Sequence, residues 1–188
     1  MERKKTISPL IVLSLLCATS TVDAFDDSRK GFSLGLGVGV HHLDNHVLFG
    51  DARPLIYEGQ TGIASSFKIG AGINEQFSVF YTRNASWYNV NGELAVIGLT
   101  GLGASYYFSP GVPSKYLIAG LGLGDFSTPL YSSDTDINDG NSYLAGFGYE
   151  FKRHQSVEFN LGYTTHKVNS SVELETVAAQ ILFNYQFY

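Results

Sequence analysis

The sequence is short of cysteine and basic residues, and it lacks long apolar runs. Its only cysteine is Cys17, so an intrachain disulfide and a cysteine-rich metal site are excluded. A helix that spans a bilayer needs about 20 predominantly apolar residues. The most apolar stretch, residues 7–18, is shorter and is interrupted by Ser8, Pro9 and Ser14. Membrane proteins built from spanning helices are therefore excluded, and any crossing must use strands.

The N-terminus has the pattern of a secretory signal peptide. Basic residues at positions 3–5 precede the apolar stretch, and Val22 and Ala24 stand third and first before the expected cut. We predict cleavage after Ala24, which makes residues 1–24 a signal peptide and residues 25–188 one mature domain.

Acidic residues outnumber basic ones. The predicted signal peptide contains three of the 12 Lys and Arg residues and two of the 17 Asp and Glu residues, so the mature part keeps nine against 15. The resulting net charge of −6 is the opposite of the basic surface that nucleic-acid-binding proteins present. No nucleic-acid partner is expected.

Large apolar residues alternate with small or polar ones through most of the mature chain, and this period of two is typical of β-strands. In the first such segment Leu34, Leu36 and Val38 alternate with Gly35 and Gly37. The recurrence of the pattern predicts eight strands. They cover Gly31–His42, Gly62–Asn74, Gln76–Tyr88, Glu93–Phe108, Tyr116–Asp125, Ser142–Lys152, Ser156–Thr165 and Val177–Phe187.

The connections between these segments alternate in length. Barrels that cross a bacterial outer membrane have short periplasmic turns and longer extracellular loops, and an even number of strands places both chain ends in the periplasm. The short connections are 74–76, 109–114 and 152–155, the long ones are 43–61 and 126–141, and intermediate ones are 89–92 and 166–172.

The side chains on the face opposite the large residues are too small to shield a core from water. Glycines at every second position suit the narrow interior of an eight-stranded barrel, so the large residues are expected to face outward, into lipid. Aromatic residues near strand ends, such as Tyr149 and Phe151, match interfacial girdles. The alternative is a secreted lipocalin-like barrel with an apolar cavity, and the charges of Lys68 and Glu150 on the inner parity argue against it.

The third predicted strand is less regular than the others. Its large residues, such as Tyr81 and Trp87, share a parity with Arg83. Two interpretations stay open: a β-bulge shifts the register of the strand, or Arg83 lies near a rim of the barrel.

The closing segment Ile181–Tyr188 and the end of the fourth strand, Gly101–Phe108, resemble those of OmpA-like and opacity-type outer-membrane proteins, and the likeness extends over the mature chain. It implies an all-β, eight-stranded, antiparallel up-and-down transmembrane β-barrel, surrounded by outer-membrane lipids and lipopolysaccharide. It also implies that the barrel-assembly machinery recognises the alternating aromatic residues Phe183, Tyr185 and Phe187, although one more aromatic residue follows them.

Charged residues on the inner parity form the first candidate site. Glu150 and Glu158 flank the turn 152–155 and are expected at similar depth on neighbouring strands. Two such carboxylates could act as general acid and base, but unpaired charges are costly in a narrow lumen. We therefore hypothesise that Lys68 and Arg83 neutralise them and that this charge network plugs the lumen.

Two sequence features invite an enzymatic interpretation. The glycines of residues 35–39 and 120–124 have period two, whereas a dinucleotide fingerprint requires Gly-x-Gly-x-x-Gly before a helix, so no cofactor is expected. Small outer-membrane barrels that deacylate lipid A use a His-x-Ser arrangement, whereas Ser170 follows His166 by four residues, with Glu173 beyond. Because this spacing disagrees, no catalytic residue is predicted.

Two groups of side chains have the chemistry of metal ligands without the expected spacing. An acidic cluster resembles the front half of a calcium loop, but its glycine comes one place late. Three histidines stand where the first strand leaves the barrel. We predict no metal site, with a weak divalent-cation site in the acidic cluster as the alternative. The cluster is Asp134, Asp136, Asn138 and Asp139, and the histidines are His41, His42 and His46.

These observations together predict an integral outer-membrane protein without catalytic activity. Its expected role is structural, or is an interaction with a host or cell-surface ligand through the loops 43–61 and 126–141. A lipid A-modifying, deacylase-like enzyme and a small channel are the alternatives. The channel is disfavoured because eight strands enclose room only for side chains.

Overall fold

The computed structural model describes most of the predicted mature domain. In this part of the chain every regular element is a β-strand. No helix among the described residues is long and apolar enough to cross a membrane. The predicted signal peptide lies outside the described residues and stays a prediction. Those residues are 28–49, 55–56, 59–90, 92–129, 137–169 and 172–188.

Eight antiparallel strands form a closed barrel, as the alternating pattern predicted. The barrel strands are β1 (Gly31–Phe49), β3 (Gln60–Gly72), β4 (Phe77–Val90), β5 (Glu93–Tyr107), β6 (Ser114–Ser127), β7 (Ile137–Lys152), β8 (Gln155–Asn169) and β9 (Val172–Phe187). Each pairs with the next one along the chain, and β9 pairs with β1 to close the sheet. A further two-residue strand, β2 (Leu55–Ile56), pairs only with the far end of β1.

The strands are tilted against the barrel axis. We start at Leu34 and step from each residue to its Cα partner on the next barrel strand. One full circuit of the eight strands ends at Asp44, which is ten residues further along β1. At about 3.3 Å per residue and about 4.8 Å between strands, this stagger corresponds to a tilt of about 40°. The interior of such a barrel is just wide enough to be filled by side chains.

The two faces of the sheet differ in character. On β1, Leu36, Val38 and Val40 face outward and are 52%, 60% and 56% exposed, whereas Ser33 and His41 face inward and are buried. The same alternation holds around the barrel, with large apolar residues outside and mostly polar residues inside. This arrangement contradicts the lipocalin-like alternative, which requires an apolar interior.

Glycines on the inner face provide space for the larger residues that fill the lumen. A Cβ atom added to Gly148 of β7 would lie 2.2 Å from the Tyr116 ring. Tyr116 therefore extends across the interior only because its neighbour on β7 has no side chain. The glycine pattern of the sequence thus has a packing function.

The two ends of the barrel have different connections. Both ends of the described chain and the short turns 73–76, 108–113 and 153–154 lie at one end, which we call the turn end, and these turns agree with the predicted ones within two residues. The opposite end is called the loop end. There the strands are longer than predicted.

At the loop end, much of the predicted loops 43–61 and 126–141 is strand. β1 continues to Phe49, where it pairs with Val172, and β7 already begins at Ile137. Strand pairing requires only backbone groups, so it continues past the apolar belt, where the alternation of side chains that identified the strands has ended.

The irregular third predicted strand, β4, contains no bulge. Its register against β5 is continuous from Phe77 to Val90. Arg83 lies near the middle of this strand and faces outward, so both proposed interpretations, a bulge and a rim position, were wrong. Register shifts occur instead in β6, β7 and β8.

Candidate functional site: the filled barrel interior

Arg29, just before β1, closes the turn end of the lumen. It is 4% exposed, and its Nε and Nη2 atoms donate to Glu150 Oε2 at 2.9 and 2.5 Å. Nη1 donates to the carbonyl oxygens of Glu75, Ser109 and Pro110, and Nη2 to that of Gly111, at 3.0–3.1 Å. One guanidinium therefore joins two turns and the interior wall of β7.

Aromatic rings complete this layer. The guanidinium carbon of Arg29 lies 4.2 Å from the centre of the Tyr107 ring, which in turn packs against Tyr116 at 4.6 Å. A cation over an aromatic face is stabilised by the ring quadrupole, most strongly when it is shielded from water. The layer thus combines charge neutralisation with close packing.

The second carboxylate oxygen of Glu150 binds the other end of the chain. The Tyr188 hydroxyl donates to Oε1, and the backbone N–H of His154 donates to the same atom at 3.3 Å. Burial, together with the hydrogen bond to Glu150, raises the pKa of Tyr188 to about 12. The phenol therefore keeps its proton and acts as a donor.

Lys68 and Glu158 form a second ion pair deeper in the lumen. The Lys68 Nζ atom donates to Glu158 Oε1, and the side chains are 7% and 1% exposed. Glu158 also accepts from the Tyr116 hydroxyl at 2.7 Å and from Asn160 Nδ2 at 3.2 Å. Three donors thus compensate the loss of hydration that burial imposes on this carboxylate.

Apolar side chains and a small cavity occupy the next layers toward the loop end. The cavity lies between strands β4, β5 and β7–β9 and contains about 20 Å³ of space open to water, room for about one molecule. Ligand pockets are about 300–1,000 Å³, so this space is too small to be one. The apolar clusters on its two sides are Phe80, Leu99, Ile118 and Leu144, and Leu43, Tyr88, Ala95 and Ile97.

The structure brings together only part of the predicted charge network. Lys68 meets Glu158, but the partner of Glu150 is Arg29, which the sequence reasoning missed. Arg83 does not belong to the interior: it lies on the outward face of β4 and pairs with Asp125 of β6. The parity of Arg83 is that of the exposed Val79 and Tyr81, so its side chain cannot reach the lumen.

Those residues considered for catalysis that the structure describes do not form a site. Glu150 and Glu158 each bind a cation, so neither is a free acid or base. His166, predicted to lie in a loop, belongs to β8, is fully buried and faces inward. Ser170 and the side chain of Glu173 lie outside the described residues.

The side chains that were considered as metal ligands do not converge where the structure describes them. His41 faces inward and donates from Nε2 to the Trp87 carbonyl at 3.0 Å, whereas His42 faces outward and contacts Thr61 at 3.1 Å. No group of three or more His, Cys, Asp or Glu side chains among the described residues could hold a metal ion. Asp134 and Asp136, and the side chains of Asn138 and Asp139, lie outside that part of the chain.

The proposed assembly residues lie on the outer surface. Phe183, Tyr185 and Phe187 face outward on β9, and the additional aromatic residue, Tyr188, turns inward to Glu150. The alternation therefore ends in an outward-facing aromatic residue, as the resemblance implies. Recognition by the assembly machinery stays a prediction.

Comparison with known proteins supports the same fold. Residues 9–187 match the family described as outer membrane protein beta-barrel domain. No curated protein that was compared matches the chain.

Three solved barrels show a similar architecture. Ail of Yersinia pestis is 13% identical, with 83% of this chain and 99% of Ail covered and a TM-score of 0.45. Neisserial surface protein A is 21% identical, with 81% and 96% covered and a TM-score of 0.47. OprG of Pseudomonas aeruginosa is 12% identical, with 86% and 99% covered and a TM-score of 0.48.

Proposed function

Because the chain belongs to the outer membrane protein beta-barrel domain family, we propose that it is a non-enzymatic, non-conducting barrel that acts through its extracellular end. In this orientation the turn end is periplasmic and the loop end is extracellular. The observation that carries the proposal is the lumen between the described strands, which is filled with paired polar and apolar side chains.

The succession of layers in the lumen supports a barrel that does not conduct. An ion that entered from the periplasm would meet Arg29 with its acceptors, then the Lys68–Glu158 pair, then two apolar clusters. Opening a path requires breaking buried ion pairs, which costs about 3–5 kcal/mol each when one partner is lost. A static plug of this kind favours a structural barrel over a channel.

A lipid-modifying role has less support. The catalytic groups of such an enzyme would have to reach lipid, yet His166 points into the barrel. The two interior carboxylates that could share acid and base roles are neutralised by Arg29 and Lys68. We therefore keep the deacylase-like function only as the competitor that the experiment must exclude.

Polar groups gather on the outside of the loop end, which suits contact with a water-exposed ligand. His42 Nε2 lies 3.7 Å from Asp44 Oδ1, and both side chains are about half exposed. On the neighbouring strands the Tyr163 hydroxyl donates to Glu175 at 2.7 Å. We propose residues 50–54 and 130–136, the connections at this end of the barrel, as the interaction surface. This is a shorter set than the loops 43–61 and 126–141 expected from sequence.

The proposal is tested in a Gram-negative strain that lacks the gene and is complemented with variants. Residues 50–54 or 130–136 are replaced by Gly-Ser segments, and Lys115→Met at the turn end is the control. We expect either replacement to reduce adhesion to host-cell monolayers while the barrel still folds, and the control to adhere normally. Planar-bilayer recordings should show no conductance steps, and mass spectrometry should show unchanged lipid A acylation. Conductance or an altered lipid A would contradict the proposal.

A further inference from the structure

The outer face of the barrel carries a charged pair that none of the roles above uses. Arg83 Nη1 donates to Thr100 Oγ1 at 2.7 Å and to Asp125 Oδ2. The three residues lie on adjacent strands, β4, β5 and β6, and all have the outward parity. The Arg83 side chain is 40% exposed and that of Asp125 16%, so Arg83 is partly open toward lipid while Asp125 is mostly covered.

The backbone of Arg83 lies within the apolar belt. It is six residues from Phe77, the turn-end start of β4, which places it about 15 Å above that end at the tilt derived above. The apolar band of such barrels is about 25 Å tall. Asp125 lies two residues beyond Leu123, the partner of Thr100, toward the loop end. The arginine side chain is thus directed from the belt toward the extracellular interface, as long cationic side chains are in lipid.

This position is expensive for a cation. An arginine on the lipid face costs about 2–4 kcal/mol at the bilayer midplane and less toward the interface. Among the side chains that the structure describes, the exposed lysines Lys30, Lys115 and Lys152 lie at the turn end. An ionisable residue inside the belt therefore requires a specific partner, and by default indicates a functional site.

The pair leaves hydrogen-bonding capacity unused. Both bonds of Arg83 start from Nη1, and within the described residues Nε and Nη2 have no acceptor. The Oδ1 atom of Asp125 likewise has no donor there. The edge formed by Nε and Nη2 can donate two parallel hydrogen bonds, which is the geometry that fits phosphate oxygens.

A tryptophan near Arg83 indicates where the membrane–water interface lies. Trp87 lies four residues beyond Arg83 toward the loop end and faces outward, and its Nε1 atom donates to Ser65 Oγ at 2.8 Å. Tryptophan is enriched at the membrane–water interface, where headgroups begin. An acceptor that reaches Arg83 therefore comes from the headgroup level of the outer leaflet.

We propose that Arg83 binds the phosphate of an anionic glycolipid of the outer leaflet through its Nε–Nη2 edge, while Thr100 and Asp125 position the guanidinium. The site rests on the proposed function only in that the barrel must lie in the outer membrane. The Arg83 side chain is 40% exposed and starts from a backbone position within the belt, so a lipid headgroup can approach the guanidinium where a soluble anion cannot. Because Asp125 offsets the positive charge, selectivity depends on the two parallel bonds, and lysine cannot replace Arg83.

The test measures lipid retention by the complete mature barrel. Wild type, Arg83→Met, Arg83→Lys and the control Lys115→Met are refolded into phosphatidylcholine nanodiscs that contain diphosphoryl or dephosphorylated lipid A, and retained lipid is counted by native mass spectrometry after transfer to detergent. We expect wild type and the control to prefer the diphosphoryl form about tenfold, equivalent to about 1.4 kcal/mol. Both Arg83 variants should lose the preference, and excess inorganic phosphate should not displace the lipid from wild type.

Several results would overturn the site. Equal retention of the two lipid A forms by wild type is one, and it needs no variant. An unchanged preference in Arg83→Lys, displacement by inorganic phosphate, or a dimer of barrels that forms without lipid A would also contradict it. The adhesion assay is a separate readout. If loop variants lose adhesion but keep the lipid preference, the extracellular end is responsible for adhesion. If an Arg83→Lys barrel still adheres but loses the lipid preference, the loss is specific to this site.

Discussion

Arg29 and Glu150 are 121 positions apart in the sequence, yet the Arg29 Nη2 atom lies 2.5 Å from Glu150 Oε2 inside the barrel. Arg29 precedes the first strand, and Tyr188, which binds the other oxygen of the same carboxylate, follows the last strand. The pairing of those two strands closes the barrel. One buried carboxylate therefore binds a residue next to each of the two seam strands, at the turn end of the barrel.

Arg29→Met is expected to destabilise the barrel by about 3–5 kcal/mol, because it leaves the Glu150 carboxylate buried without a cation. Urea unfolding of the refolded barrel in detergent measures this change, with heat-modifiable mobility in gels as a check of folding. Lys115→Met removes an exposed cation at the same end and should change stability by no more than about 0.5 kcal/mol. A double variant, Arg29→Met with Glu150→Gln, should lose less than the sum of the two single losses. Strict additivity would show that the pair is not coupled.

The period of two in the sequence is enough to identify which side chains enter the lumen. Lys68, Glu150 and Glu158 could be placed there because parity is a local property of a strand. Their pairing is not local, since Lys68 and Glu158 lie on strands that are not neighbours in the sheet, and it depends on the stagger of the whole barrel. Sequence reasoning could therefore name three of the residues but not assign Glu150 to Arg29.

Residues outside the alternating pattern were beyond the reach of that reasoning. Arg29 lies before the first strand and carries no parity, so nothing in its surroundings indicated an inward side chain. Arg83 had the outward parity from the beginning, but a cation in an apolar belt led to the expectation of a bulge or a rim. Neither a bulge nor a rim position is needed, because Asp125 and Thr100 partly compensate the charge of Arg83 at an outward position.

Lys68→Met should lower the free energy of unfolding by about 3–5 kcal/mol, since Glu158 would stay buried with only neutral donors. The measurement is the same urea titration. Adding Glu158→Gln to Lys68→Met should restore part of the loss, because the amide still accepts from Tyr116 and carries no charge. Unchanged stability of the single variant would show that the ion pair does not hold the lumen together.

Gly39 and Gly162, both on the inner face, offer a matched test of packing. A Cβ atom on Gly39 would lie 1.8 Å from the backbone oxygen of Ile181 across the seam, whereas on Gly162 its nearest neighbours are 3.9–4.0 Å away. Gly39→Ala should therefore destabilise the barrel by about 1–3 kcal/mol through overpacking. Gly162→Ala should be neutral or stabilising by up to about 1 kcal/mol, because alanine restricts the unfolded chain. Equal effects in unfolding experiments would argue against this packing of the seam.

Phe187 and Tyr188 are adjacent, but the first faces outward and the second inward, so their substitutions should separate assembly from stability. Tyr188→Phe removes a hydrogen bond to a buried carboxylate and should cost about 1.5–3 kcal/mol in urea unfolding, with a normal rate of insertion. Phe187→Ser changes an exposed position at the membrane interface, where the resemblance to outer-membrane barrels implies recognition by the assembly machinery. It should slow the appearance of the heat-modifiable form in a pulse-chase experiment while changing stability less than Tyr188→Phe does. If instead Tyr188→Phe slows insertion and Phe187→Ser does not, the assembly machinery recognises Tyr188 and not Phe187. The hydrogen bond between Tyr188 and Glu150 would then form only after the machinery has released Tyr188.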